Sequence, residues 1–100
     1  MSAADILVAA RAELVIHGWT QGLFEAEDGA PCMLGALRKA DGCNPSLVHR
    51  SREAERAYFL LCDAVGDRWP ADFNDDDDRT LAEVLDAYDR AITLAKERGL

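Results

Sequence analysis

Between Thr80 and Ala95 the chain leaves room for little besides an α-helix. Thr80 and Glu83 stand at the capping-box spacing: the threonine hydroxyl takes the Glu83 amide, and the glutamate reaches back to the threonine N–H. Leu81, Val84, Leu85, Tyr88, Ile92 and Ala95 then recur on one face. Asp86 and Arg90 pair on the wet side, and Lys96 and Arg98 suit the negative carboxyl end before Gly99. A helix with such a stripe has to bury it, so the remaining residues must supply the surfaces that cover it.

They do so with three further helices. Ser2 and Asp5 form a capping-box-like pair ahead of Ile6, Leu7, Ala10 and Leu14. Val15 and Ile16 widen that apolar face, and Gly18 is placed as a left-handed terminator. Pro31 suits the first turn of a second helix, which carries Met33, Leu34, Leu37 and Ala40 and stops near Asp41-Gly42. The third runs roughly from 52 to 65, with Ala54, Ala57, Tyr58, Leu61 and Val65 inward and Gly66 at its end.

Between the first two helices the pattern changes. Gly22-Leu23-Phe24-Glu25-Ala26 followed by Glu27-Asp28-Gly29 predicts a short strand entering a tight turn. Asn44-Pro45-Ser46 is loop chemistry opening a short helical turn through Leu47 and Val48. Trp69-Pro70 breaks the chain again, because a residue before proline is pushed out of the helical region. The expectation is a mainly α fold: four helices in one compact domain over 1–100, with a short extended segment or β-hairpin between helices 1 and 2.

Charge is distributed unevenly over that frame. From Asp63 to Asp89 there are ten acids and two bases, a balance of −8, while the other nine acids and nine bases cancel. Phosphate contacts need a basic face, so direct nucleic-acid binding is not expected. No apolar run approaches the ~20 residues of a membrane span, and no leader precedes the first helix, so the chain reads as soluble and cytoplasmic. Cys32, Cys43 and Cys62 are odd in number and form no Cys-x-x-Cys pair, which argues against a disulfide framework or a structural zinc site and for a reducing compartment. No motif calls for a cofactor.

The charge centres on the run Asp75-Asp76-Asp77-Asp78, and three kinds of chemistry compete for it and its surroundings. Asp72, Asn74, Asp76, Thr80 and Glu83 fall at EF-hand ligand spacings, which would make 72–83 a calcium loop. Against that, the sharp-turn glycine is replaced by Asp77, the next apolar position is Arg79, and no entering helix is predicted. A thiol enzyme would use Cys32 in the first turn of helix 2, with His17 and Asn74 or Asp75 as partners; the bland alternative is a small core residue. The third reading is a docking surface of Asp75, Asp76, Asp77 and Asp78 with the loop tryptophan Trp69. The one basic cluster, His49-Arg50-Ser51-Arg52 with Arg56, could complement that surface within one molecule or between two copies.

An ordered series of short motifs adds a further line. Gly18-Trp19-Thr20-Gln21-Gly22, Cys32-Met33-Leu34-Gly35-Ala36-Leu37, Phe73-Asn74-Asp75, Arg79-Thr80, Glu83-Val84-Leu85 and Arg90-Ala91-Ile92 follow one another across most of the chain. The series resembles a family of small uncharacterised domains found in actinobacteria and their phages. The resemblance carries no activity with it. It draws attention to Trp19, Gln21, Cys32, Asn74 and Asp75, and it suggests that Asn74 and Asp75 hydrogen-bond the Gly18–Gly22 turn. The functional expectation is a non-enzymatic interaction or regulatory protein of that phage-associated kind, with an acidic loop that meets a protein partner's basic surface; self-association is a second partner class.

Overall fold

The computed structural model describes residues 1–42, 51–66 and 68–100. Among them lie five helices: α1 Ala3–His17, α2 Met33–Ala40, α3 Arg52–Ala64, α4 Pro70–Asp75 and α5 Leu81–Glu97. The short turn expected at Leu47 and Val48, and the basic residues His49 and Arg50, fall outside the described residues.

The terminal helices begin as their caps dictate. The Ser2 hydroxyl accepts the Asp5 amide at 3.1 Å and Asp5 accepts the Ser2 amide at 3.1 Å. Thr80 and Glu83 repeat the exchange at 3.3 and 3.1 Å, opening α5. Gly18 does end α1, but with φ 89° and ψ −167° it lies in a mirror-extended region essentially reserved for glycine, not in the left-handed helical well. That geometry throws the chain outward into the Trp19–Pro31 segment.

Four helices become five because Pro70 opens a helix where a break was expected. Proline at the first helical position loses only an N–H that would have no intrahelical partner, so the Trp69-Pro70 pair starts α4. Six residues are too few to show a periodic stripe. Helix α2 also begins later than Pro31 suggested: Cys32 is its N-cap, and Pro31 sits in an isolated antiparallel bridge with Glu25. That bridge and an Ala26 N–H to Ala30 carbonyl bond of 2.8 Å are what the hairpin amounts to. Proline has no amide with which to extend a ladder.

The 19–31 segment is instead fastened to α2 by single contacts. Cys32 N–H donates to the Phe24 carbonyl at 3.0 Å, and the Lys39 ammonium reaches Glu25 at 2.9 Å. The buried Arg38 guanidinium lies 4.3 Å from the Phe24 ring centre. Gly35 fits because it lacks a side chain: a Cβ there would overlap the Phe24 carbonyl oxygen and lie 2.9 Å from its carbon.

The buried cluster draws on α1, α2, α3, α4 and α5 together. Alanine fills much of it, at Ala10, Ala36, Ala54, Ala57, Ala87, Ala91 and Ala95. On α5 the buried seam is Val84, Ala87, Tyr88, Ala91 and Ala95, while Leu81, Leu85 and Ile92 pack at its margins. The seam is rotated from the stripe of large residues because small side chains let helix backbones approach closely. On α1 the opposite face stays open, with Val8, Val15 and Ile16 all more than half exposed. No described helix is long and apolar enough to cross a membrane.

Candidate functional site

Helix α4 presents Asn74 to the interior, where its side chain is only 1% exposed. Both ends of the amide are fully used. Its Oδ1 accepts the Trp19 indole N–H at 2.6 Å and the Met33 backbone N–H at 2.9 Å. Its Nδ2 donates to the Thr20 carbonyl at 3.2 Å and to Asp75 Oδ1 at 2.9 Å. The same Asp75 oxygen takes the Gly22 amide at 2.9 Å. Gln21 answers from the other side, its Nε2 donating to the carbonyls of Asn74 at 2.9 Å and Asp76 at 2.8 Å.

The Asn-Asp pair therefore ties α4 to the turn after α1 and to the first amide of α2. Met33 N–H is one of the donors a helix start leaves without an intrahelical partner, and a carboxamide 41 residues away satisfies it. At the far side of that start, the Tyr88 hydroxyl donates to the Met33 carbonyl at 2.6 Å; complete burial pushes its pKa well up, so it stays a neutral donor. Trp19, Gln21, Cys32, Asn74 and Asp75 thus come together around one junction.

Cys32 belongs to the junction as a cap. Its sulfur, 7% exposed at the residue level, accepts the Gly35 amide at 3.2 Å. Burial pushes the thiol above its ordinary pKa despite the Gly35 and Leu34 amides, and nearby Asp75 adds to the rise. A nucleophilic cysteine needs the reverse. His17 is exposed at the end of α1, 3.4 Å from Glu13, and none of its described contacts is with Cys32, Asn74 or Asp75. The thiol triad is not assembled.

The residues at calcium-ligand spacings turn to other partners. Asn74 Oδ1 is spent on Trp19 and Met33, and Thr80 and Glu83 close a helix cap. Asp76 Oδ2 receives Arg68 at 2.9 Å and Arg79 at 2.7 Å. Among the described residues no group of three or more His, Cys, Asp or Glu is arranged to hold a metal ion.

Arg79 is the residue that sequence reasoning undervalued. Its guanidinium lies 3.6 Å from the Phe73 ring centre, donates through Nε to the Phe73 carbonyl at 2.8 Å, and reaches Glu83 at 3.0 Å. It closes the carboxyl end of α4 and joins it to the start of α5. The usable signal was the Arg-Thr pair following Asn-Asp in the motif series.

Of the five residues expected to form a docking surface, two also take part in this arrangement. Asp75 serves the junction and Asp76 pairs with the two arginines. Asp77 and Asp78 stay exposed, with no hydrogen bond or ion pair to the described residues, and Trp69 is 64% exposed. An acidic cleft of about 490 Å³ is lined by Asp76, Asp77, Asp78, Arg79 and Glu83.

Hydrogen bonds from the Thr80 amide and hydroxyl, reinforced by Arg79, hold the Glu83 carboxyl below its ordinary value of 4.5. A carboxyl depressed in the folded state contributes stability that is complete above its unfolded pKa and fades as pH falls through the folded one. Glu83→Gln keeps an acceptor at that position but does not titrate. The variant should therefore melt below the native protein at neutral pH, and the gap should close as pH falls below the carboxyl's ordinary value. A gap that widened toward low pH would contradict the assignment.

A family model described as a family of unknown function (DUF6197) matches residues 1–94. Neither a curated protein nor a solved structure matches the chain.

Proposed function

The chain belongs to DUF6197, a family of unknown function, and within it we propose that this protein is a non-enzymatic interaction module whose acidic face docks a basic surface on a protein partner. The reading fits a small domain carried by actinobacteria or their phages. One observation carries it: the polar groups at the motif-rich junction are committed to one another, whereas Asp77 and Asp78 beside it carry charges that the fold does not use. Beside the junction, two exposed carboxylates and an exposed indole suit an encounter with a cationic surface. A partner of opposite charge would be steered toward such a face, and salt would weaken the encounter. A nucleic acid would be repelled by the same charges.

The test is a pull-down from host lysate with the native protein and an Asp77→Asn/Asp78→Asn variant, at about 50 mM and at several-fold higher salt. Both substitutions are on exposed side chains and leave the junction intact. The expected result is a partner retained by the native protein at low salt and lost by the variant or at high salt. Equal recovery by both proteins at both salts would remove the reading.

A further inference from the structure

We propose that the apolar cleft between Phe59, Cys62, Arg68 and Trp69 receives one large apolar side chain of a basic peptide segment, whose adjacent lysine or arginine displaces Arg68 from Asp76. This rests on the docking reading above and names its partner chemistry. The cleft is an open depression of about 220 Å³, room for a single leucine or aromatic side chain. Two of its walls are large and open to solvent: Phe59 and Trp69 are 56% and 64% exposed. Large aromatics bordering a recess of side-chain size are the usual anchors of protein interfaces. The Trp69 indole N–H donates to none of the described residues, which leaves it to meet a peptide carbonyl.

Charge complementarity decides the occupant. Arg68 lines the apolar cleft, Asp76 lines the acidic one, and their 2.9 Å ion pair bridges the two. A segment lying across both would set an apolar side chain on Trp69 and cationic ones against Asp76, Asp77 and Asp78. Asp76 already holds two guanidinium groups, and they differ. Arg79 is 13% exposed and stacked on Phe73, so it stays. Arg68 is 43% exposed, and its hydrogen bond to the described residues is to Asp76 alone. An exposed pair of that kind is weakly held and readily exchanged. Arg68 thus occupies the place of the partner's cation until the partner arrives.

The experiment titrates the ¹⁵N-labelled full chain with two capped synthetic peptides, Lys-Arg-Leu-Arg-Lys and Lys-Arg-Gly-Arg-Lys, followed by NMR. The leucine peptide should bind about ten-fold or more tightly than the glycine one and shift the Trp69 indole resonance. Trp69→Ala should erase that advantage while leaving the glycine peptide unaffected. Arg68→Gln should tighten the leucine peptide several-fold, because it vacates Asp76. Equal affinities of the two peptides for the native protein, or weaker binding by Arg68→Gln, would overturn the cleft assignment. If Asp77→Asn/Asp78→Asn still weakens both peptides, the acidic docking reading survives that result; if neither peptide binds at all, both fall.

Discussion

Replacing Asn74 with alanine should lower the melting temperature on the order of 15 °C. The carboxamide is buried and makes four hydrogen bonds, so its loss strands one fully buried donor and one part-buried donor. A buried donor left without a partner costs about 1–3 kcal/mol; the Met33 amide is stranded in full and the part-buried Trp19 indole in part. Allowing for relaxation, a loss of about 3 kcal/mol is a large share of the ~5–15 kcal/mol that holds a domain of this size. Each kcal/mol is worth roughly 4–8 °C in such a domain, which gives the figure above. Trp19→Phe supplies the control. It removes one donor and keeps an aromatic, though smaller, ring, so Asn74→Ala should cost less in that background than in the native one. A melting temperature within a few degrees of the native value would show that the junction does not stabilise the fold.

Gly35→Ala is the second large effect, and its sign depends on two opposed terms. Glycine inside a helix is about 1 kcal/mol less favourable than alanine, so on propensity alone the substitution should stabilise α2. Packing opposes it. The new methyl would overlap the Phe24 carbonyl oxygen, which belongs to the backbone and is itself fixed by the Cys32 amide at 3.0 Å. Overpacking against groups that can move costs typically 1–3 kcal/mol, and here the obstacle can move only by giving up a hydrogen bond. A net loss of about 2 kcal/mol is expected, read as a lower urea midpoint at unchanged slope. A variant as stable as the native protein would mean that the 19–31 segment lifts off α2 at little cost.

Much of the helical frame was legible because its signals are local. Ser2 with Asp5 and Thr80 with Glu83 are complete within four residues, so sequence alone places those helix starts. Helix α4 was not legible, because six residues cannot display a period and Trp69-Pro70 reads equally as a stop or as a start. The rotated seam of α5 escaped for another reason: Ala87 and Ala91 score as weakly apolar, although closely approaching helices favour them. At the junction, the motif series pointed to the right residues. The bond from Met33 to Asn74 spans 41 residues and that from Trp19 spans 55, and no local pattern encodes such separations. The contacts of Asp75 and Asp76 could not be read ahead, because their partners, Gly22, Arg68 and Arg79, are fixed only by folding.

A six-residue helix has no independent stability, so α4 exists only as long as its surroundings hold it. Gln21 grips the carbonyls of Asn74 and Asp76, and Asn74 grips Trp19 and Thr20 in return. The turn after α1 and the acidic face are therefore two ends of one equilibrium. Whatever fixes the face must steady the turn, and whatever loosens the turn must weaken the face by the same free energy, since coupling between two sites is reciprocal. The exposed acidic face is, in this sense, coupled to a loop at the opposite end of those hydrogen bonds.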